Sequence, residues 1–144
     1  MSRIGRAMVL AAGLGTRMGA LSETRPKPLV DVLGKSLIDY GLGHLTAAGV
    51  KRIVVNTHYL PEQIETHLAG RSDIEISREA ERLETGGGGA KALPLLGKRG
   101  FFVLNSDALW LDGPSPALDR LAAAWDSRRM DALLLFHPTV RLIR

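Results

Sequence analysis

The sequence predicts an α/β fold: a parallel sheet, layered on both faces by helices, in a single domain spanning residues 1–144. Two observations carry it. Short apolar runs alternate along the chain with helical patterns, and several of those runs are apolar throughout, as strands buried on both faces must be. The chain also holds 45% hydrophobic residues in 144, enough for one buried core without disulfide or metal staples.

The elements follow in order. Ala7–Ala12 reads as the first strand, ending in glycines. Leu37–Ala48 reads as a helix, because Leu37, Ile38, Leu42 and Leu45 share a face, Ser36 and Asp39 have capping-box spacing and Gly49 stops it. Arg52–Asn56 is a strand, Pro61–Leu68 a short helix, Ile74–Arg78 a strand and Gly88–Leu95 a short helix. Phe101–Asn105 is a strand. Pro116–Arg128 starts after Ser115 and places Leu118, Leu121, Ala122 and Trp125 on one stripe. Ala132–His137 is expected to be a further strand. Ligands of such sheets sit outside the carboxyl ends of the strands. The segments to search are therefore Gly13–Pro28, Thr57–Leu60, Glu79–Gly89, Ser106–Pro114 and the end of the chain.

Composition narrows the partners. The chain has no cysteine, which fits a reducing compartment. The apolar stretch in MSRIGRAMVLAAGLG is too short for a signal peptide core, and no run reaches the ~18–20 apolar residues of a membrane span. A soluble, cytoplasmic protein with no membrane partner is expected. The formal charge of +4 does not by itself exclude nucleic acid, but the arginines are scattered and read as a solvated surface, so no nucleic-acid partner is expected. A modest positive excess does suit anionic small molecules.

Two phosphate-loop patterns fail. A dinucleotide fingerprint needs G-x-G-x-x-G opening into a helix, but Gly13, Gly15 and Gly19 are misspaced, and Pro26 and Pro28 interrupt the stretch where that helix would run. The second strand also ends in Asn56 and Thr57, without a carboxylate for a ribose. Gly34-Lys35-Ser36 resembles the tail of a P-loop, yet Leu29 stands where its first glycine belongs. It reads as a turn before a helix cap.

What remains is a loop with close backbone approach at Gly13 and Gly15 and two cations, Arg17 and Lys27. Arginine offers a planar fork to phosphate oxygens, and lysine a compact charge. Pro26 and Pro28 stiffen the backbone around Lys27. Phe101 to Asp107, FFVLNSD, delivers Asp107 to the ligand edge, where one carboxylate suits Mg2+ shared with substrate phosphates. LETGGGGA, Leu83 to Ala90, has four consecutive glycines against which a flat base or ribose could lie. The four histidines show no metal-ligand spacing; His44 falls on a helix, and His58, His67 and His137 read as loop or surface residues.

Together these features resemble the sugar-phosphate nucleotidyltransferases. The paired signature L-A-A-G-x-G-T-R-M and P-K-P-L reads here as Leu10–Met18 and Pro26–Leu29, and N-x-D as Asn105–Asp107. LETGGG is similar to the N-acetylmuramate-1-phosphate uridylyltransferase branch, which serves recycling of cell-wall sugars. The resemblance implies a Rossmann-like, glycosyltransferase-type sheet, mixed but mostly parallel. It implies uridylyl transfer from UTP to a sugar 1-phosphate, with Mg2+ as cofactor and pyrophosphate as product. Guanylyl transfer to mannose or heptose phosphate, and a non-catalytic nucleotide-binding or assembly module, both stay open.

Roles carried over by resemblance are specific. Backbone at Ala11, Ala12 and Gly13 and around Thr85 and Gly86 would hold the base, with Glu79 where many relatives place a base-contacting glutamine. Gly15, Thr16 and Arg17 would hold the β- and γ-phosphates. Lys27 would bridge the α-phosphate and the sugar phosphate, Asp107 would ligate the metal, and Trp110 and Asp112 would lie toward the sugar. The family domain is expected to continue past residue 144 and to supply a second metal carboxylate. Asp131 lies at the wrong end of its expected strand to be that ligand. A sheet edge left unpaired would then be open to self-association. No general base is required, because a phosphate monoester, with second pKa about 6, is already mostly ionised at neutral pH.

Overall fold

The computed structural model describes residues 4–138. Strands β1 (Arg6–Leu10), β4 (Arg52–Thr57), β5 (Ile74–Arg78) and β6 (Phe102–Asn105) form a sheet in the order β5-β4-β1-β6. Every pairing in it is parallel. Among the described residues, antiparallel pairing is confined to a small hairpin, β2 (Asp31–Val32) with β3 (Lys35–Ser36), so Gly34-Lys35-Ser36 is indeed a turn leading into a helix. Helices α1 (Leu37–Ala47), α2 (Pro61–Leu68), α3 (Thr85–Leu96) and α4 (Ala117–Ala124) complete the layers.

The period-2 alternation of the strands sorts the core into two halves. Ala7, Val9, Ile53, Val55, Phe102 and Leu104 face Ile38, Leu42 and Leu45 of α1, Ile64 and Leu68 of α2 and Leu118 of α4. Met8 and Val54 point the other way, against Ala92 and Leu96 of α3. One helix covers that second face, and Val103 beyond it is exposed. Arg6 reaches across to donate to the Leu96 carbonyl at the carboxyl end of α3, 2.5 Å away. No helix among the described residues is long and apolar enough to cross a membrane.

Three expectations change. α3 begins at Thr85, three residues before the expected Gly88, because the glycines enter the helix and let it pack close over β1 and β4. α4 is shorter than Pro116–Arg128. Pro116 is a non-helical N-cap and Trp125 returns to extended backbone, so the helix holds Leu118, Leu121 and Ala122 but stops short of the last residue of the stripe. Its first amide, on Ala117, donates to Asp112 Oδ1 at 2.9 Å, so Asp112 caps the helix where Ser115 was expected to precede it. Finally, Ala132–His137 forms no strand. Among the described residues it pairs with no neighbour, and Leu134, Leu135 and Phe136 are exposed. Residues 131–135 instead border an apolar hollow beside Phe102 and Leu104. An apolar run needs a hydrogen-bonded partner to become a strand, and periodicity does not report one. The end of the chain beyond Pro138 lies outside the described residues.

Candidate functional site

The chain leaves β1 for β4 and β5 on one side and returns to β6 on the other, so strand order reverses next to β1. That is where open parallel sheets place ligands. A cleft of about 450 Å³ lies there, lined by residues from the ends of β1, β4 and β6 and by the segment entering α3.

Its centre is the loop after β1. Gly15 has φ 67°, and a Cβ there would come within 3.2 Å of the Cβ atoms of both Lys27 and Ser22, so conformation and crowding alike require glycine. Thr16–Ser22 coils as a 3-10 helix kinked at Gly19. The Ser22 hydroxyl donates to the Gly15 carbonyl at 2.7 Å. From outside, the Tyr59 hydroxyl lies 3.0 Å from the carbonyls of Ser22 and Glu23, and Gln63 Nε2 donates to that of Thr24. The return of the loop is anchored by Pro26 and Pro28, both buried, and Lys27 between them starts a short 3-10 turn ending at Leu29. Stiffening on either side of Lys27 thus has a physical basis in burial as well as in ring closure.

Lys27 Nζ forms an ion pair with Asp107 Oδ2, the side chains being 34% and 36% exposed. Asp107 follows β6, and the Ser106 amide donates to the Leu10 carbonyl at 3.1 Å, docking this turn against β1. Asp107 is an oxygen donor in the cleft wall, open enough to exchange partners. A single carboxylate fits the way Mg2+ is held beside substrate phosphates and water. Among the described residues, no three His, Cys, Asp or Glu side chains converge as a complete metal cage.

The other side of the cleft is a closed polar network. Asn56, the penultimate residue of β4, accepts from the Ala11 amide through Oδ1 at 2.8 Å. Its Nδ2 donates to Glu79 Oε1 at 2.8 Å, and Glu79 Oε2 accepts from the Leu83 amide at 2.9 Å. Glu79 is 2% exposed and sits behind the cleft wall. A Cβ on Gly88 would meet Glu79 Oε1 at 2.7 Å and Asn56 Nδ2 at 2.8 Å, so α3 can lie here only with glycine at that position.

Of the residues expected at the site, Ala12, Gly13, Gly15, Thr16, Arg17, Lys27, Thr85 and Asp107 line the cleft. Ala11 stands behind it, its amide held by Asn56, and Gly86 lies one step along α3 from Thr85. Trp110 and Asp112 do not line it. The Trp110 ring stacks on His44 at 4.1 Å and donates through Nε1 to Asp112 Oδ1. Asp112 Oδ2 is 3.0 Å from His44 Nδ1. The Ala117 amide, foremost, and then Trp110 and His44 hold the Asp112 carboxyl below the usual aspartate range. This cluster braces α4 and the segment after Asp107 against α1. Asn56, Arg82, Leu83, Asn105 and Ser106 also line the cleft; Arg82, Leu83 and Ser106 lie in segments the sequence marks for ligands and Asn105 in the N-x-D motif, but none of the five is assigned a role there. For Asn56 a signal exists: an amide side chain directly ending an apolar strand has to find partners.

A family model, that of the nucleotidyl transferases, matches residues 6–138. An N-acetylmuramate alpha-1-phosphate uridylyltransferase of Caulobacter vibrioides is 50% identical over 140 residues, covering 92% of this chain and 58% of the relative. A mannose-1-phosphate guanyltransferase of Hypocrea jecorina is 41% identical over 111 residues, covering 72% of this chain and 30% of the relative. Among solved structures, HddC from Yersinia pseudotuberculosis complexed with GMP-PN superposes with a TM-score of 0.63 at 31% identity, covering 72% of this chain and 48% of that one. The chain thus spans about half the length of the uridylyltransferase relatives it matches.

Proposed function

Because the chain belongs to the nucleotidyl transferase family, we propose that its cleft serves transfer of a uridylyl group from UTP to N-acetylmuramate 1-phosphate. The observation that carries the reading is the meeting of Arg17, Lys27 and Asp107 at the reversal in strand order. The uridylyltransferase relative supports the choice of base and sugar.

In the reaction a phosphate oxygen of the sugar phosphate forms a bond to the α-phosphorus of UTP, and the bond to the bridging oxygen breaks, releasing pyrophosphate. The nucleophile is already ionised, so the site's task is to bring two anions together and hold them in line. Gly15, Thr16 and Arg17 would hold the β- and γ-phosphates, and Ala12 and Gly13 would leave room for the base and ribose. Lys27 would turn from Asp107 toward the α-phosphate and the incoming phosphate, guided by the buried prolines on either side. Asp107 would hold Mg2+, which when bound neutralises charge on the phosphates. Acid-base side chains need not approach the reacting atoms.

The test is magnesium-dependent pyrophosphate release from UTP with N-acetylmuramate 1-phosphate, run beside GTP with mannose 1-phosphate. Preference for the first pair supports the reading. Preference for the second would favour guanylyl transfer, in keeping with the guanyltransferase relative. Nucleotide binding without release from either would favour a binding module.

A further inference from the structure

Glu79 is a carboxylate buried behind the cleft, touching neither the phosphate loop nor Asp107. We infer that Asn56 and Glu79 form a positioning relay that sets the separation of the two walls of the base slot, and that position 79 must present two acceptors to do so. The inference rests on the reading of the cleft as a nucleotide site, and it goes beyond that reading in giving a non-contacting residue a defined task.

The polarity of the relay is determined by backbone. The Ala11 amide can only donate, so the Asn56 atom facing it must be the oxygen. Asn56 therefore turns its NH2 toward Glu79. The Leu83 amide, also a donor, faces the other Glu79 oxygen. Two donors thus converge on side chain 79, and only a carboxylate accepts at both of its atoms. A glutamine of the same shape would set its own NH2 against one of them. Rotating Asn56 to compensate would move the conflict to Ala11.

The two amides at the ends of the relay belong to different walls. Ala11 precedes Ala12 and Gly13, which line the cleft on the β1 side, and Leu83 lines it on the α3 side. Gly88 closes the back, since any larger residue would strike both relay side chains. The distance across the slot is therefore carried by two buried side chains and three hydrogen bonds, two of them buried and the one to Leu83 partly so.

Reversing the relay tests it. Glu79→Gln leaves two donors opposed, and Asn56→Asp leaves two carboxylate oxygens opposed. Combining Asn56→Asp with Glu79→Gln restores every bond. The carboxylate then at position 56 accepts from the Ala11 amide and from the side-chain NH2 then at position 79. The remaining side-chain oxygen at position 79 accepts from the Leu83 amide. Shape and total charge match the original.

In the full chain, amide hydrogen exchange at Ala11 and Leu83 is expected to accelerate about tenfold or more in each single variant. In the double variant it should return to within about twofold of wild type, because all three bonds are remade. By calorimetric titration, the UTP dissociation constant should follow the same order, while that of inorganic tripolyphosphate stays unchanged. Unchanged exchange in Glu79→Gln, or a double variant no better than the singles, would overturn the relay. If a single variant does not fold, recovery of folding in the double supports the relay and failure to recover refutes it. Absence of UTP binding by wild type would overturn the nucleotide reading alone, with the exchange measurements still deciding the relay.

Discussion

Two carboxylates stand at the carboxyl edge of the sheet, and they are built in opposite ways. Glu79, beyond β5, is enclosed, and each of its oxygens accepts from a partner held in the framework, Asn56 of β4 or the Leu83 backbone. Asp107, beyond β6, is about a third exposed, and its partner is the tip of a flexible lysine. Burial and fixed donors make the first a part of the framework. Exposure and a lysine partner leave the second open to exchange, as its proposed role beside metal and substrate requires. The same functional group is thus locked in a network on one side of β1 and left in a solvent-accessible ion pair on the other.

The largest effect should come from the exchangeable side. Asp107→Ala is expected to lower magnesium-dependent turnover by about 10²–10³-fold, the range for losing one preorganised electrostatic group, measured by pyrophosphate release. Lys27→Ala should lower turnover too, yet bind Mn2+ more tightly in nucleotide-free protein, because the ammonium no longer holds Asp107. Weaker Mn2+ binding in that variant would end the contrast between the two carboxylates.

The enclosed side should respond through stability. Gly88→Ala forces a methyl group against both relay side chains and is expected to cost about 1–3 kcal/mol, as overpacking does, read from urea unfolding. An unchanged midpoint would mean that α3 can draw away at no cost.

Asp112 sharpens the comparison from a third position. Its depressed pKa means that its ionised form stabilises the fold. The contribution is complete above the ordinary value of 3.8 and fades as pH falls through the lower folded value. Thermal melts of wild type and Asp112→Asn should therefore differ most near neutrality and converge in acid. The smallest effect is expected beside the relay. Thr57 is buried and its hydroxyl has no hydrogen-bond partner among the described residues, so Thr57→Val should be neutral or stabilising by up to about 1 kcal/mol in the same unfolding assay.

How much of this is legible in the sequence depends on what each residue's role requires. Strands β1 and β4 are readable because burial on both faces leaves near-continuous apolar runs, whereas β5 alternates apolar with polar residues and β6 is apolar although one of its faces, at Val103, is exposed. Lys27 and Asp107 are readable because a loop between prolines and a strand terminus both point to the ligand edge. Glu79 is assigned to the right neighbourhood, but whether it faces the cleft or stands behind it depends on how near α3 approaches, which is a tertiary property. Asn56 escapes a reading that weighs its position only for a ribose carboxylate. The run Ala132–His137 has the composition of a strand without the pairing that makes one.

The glycines at the start of α3 carry a consequence for local order. Each glycine inside a helix is about 0.8–1.0 kcal/mol less favourable than alanine, so the run Gly86–Gly89 forgoes about 3–4 kcal/mol of intrinsic helix preference. The first turn of α3 therefore has little reason of its own to be helical and stays wound through what it rests upon. Its opening free energy should be the lowest in that helix, making this turn a local reporter of whether the slot beneath it is filled.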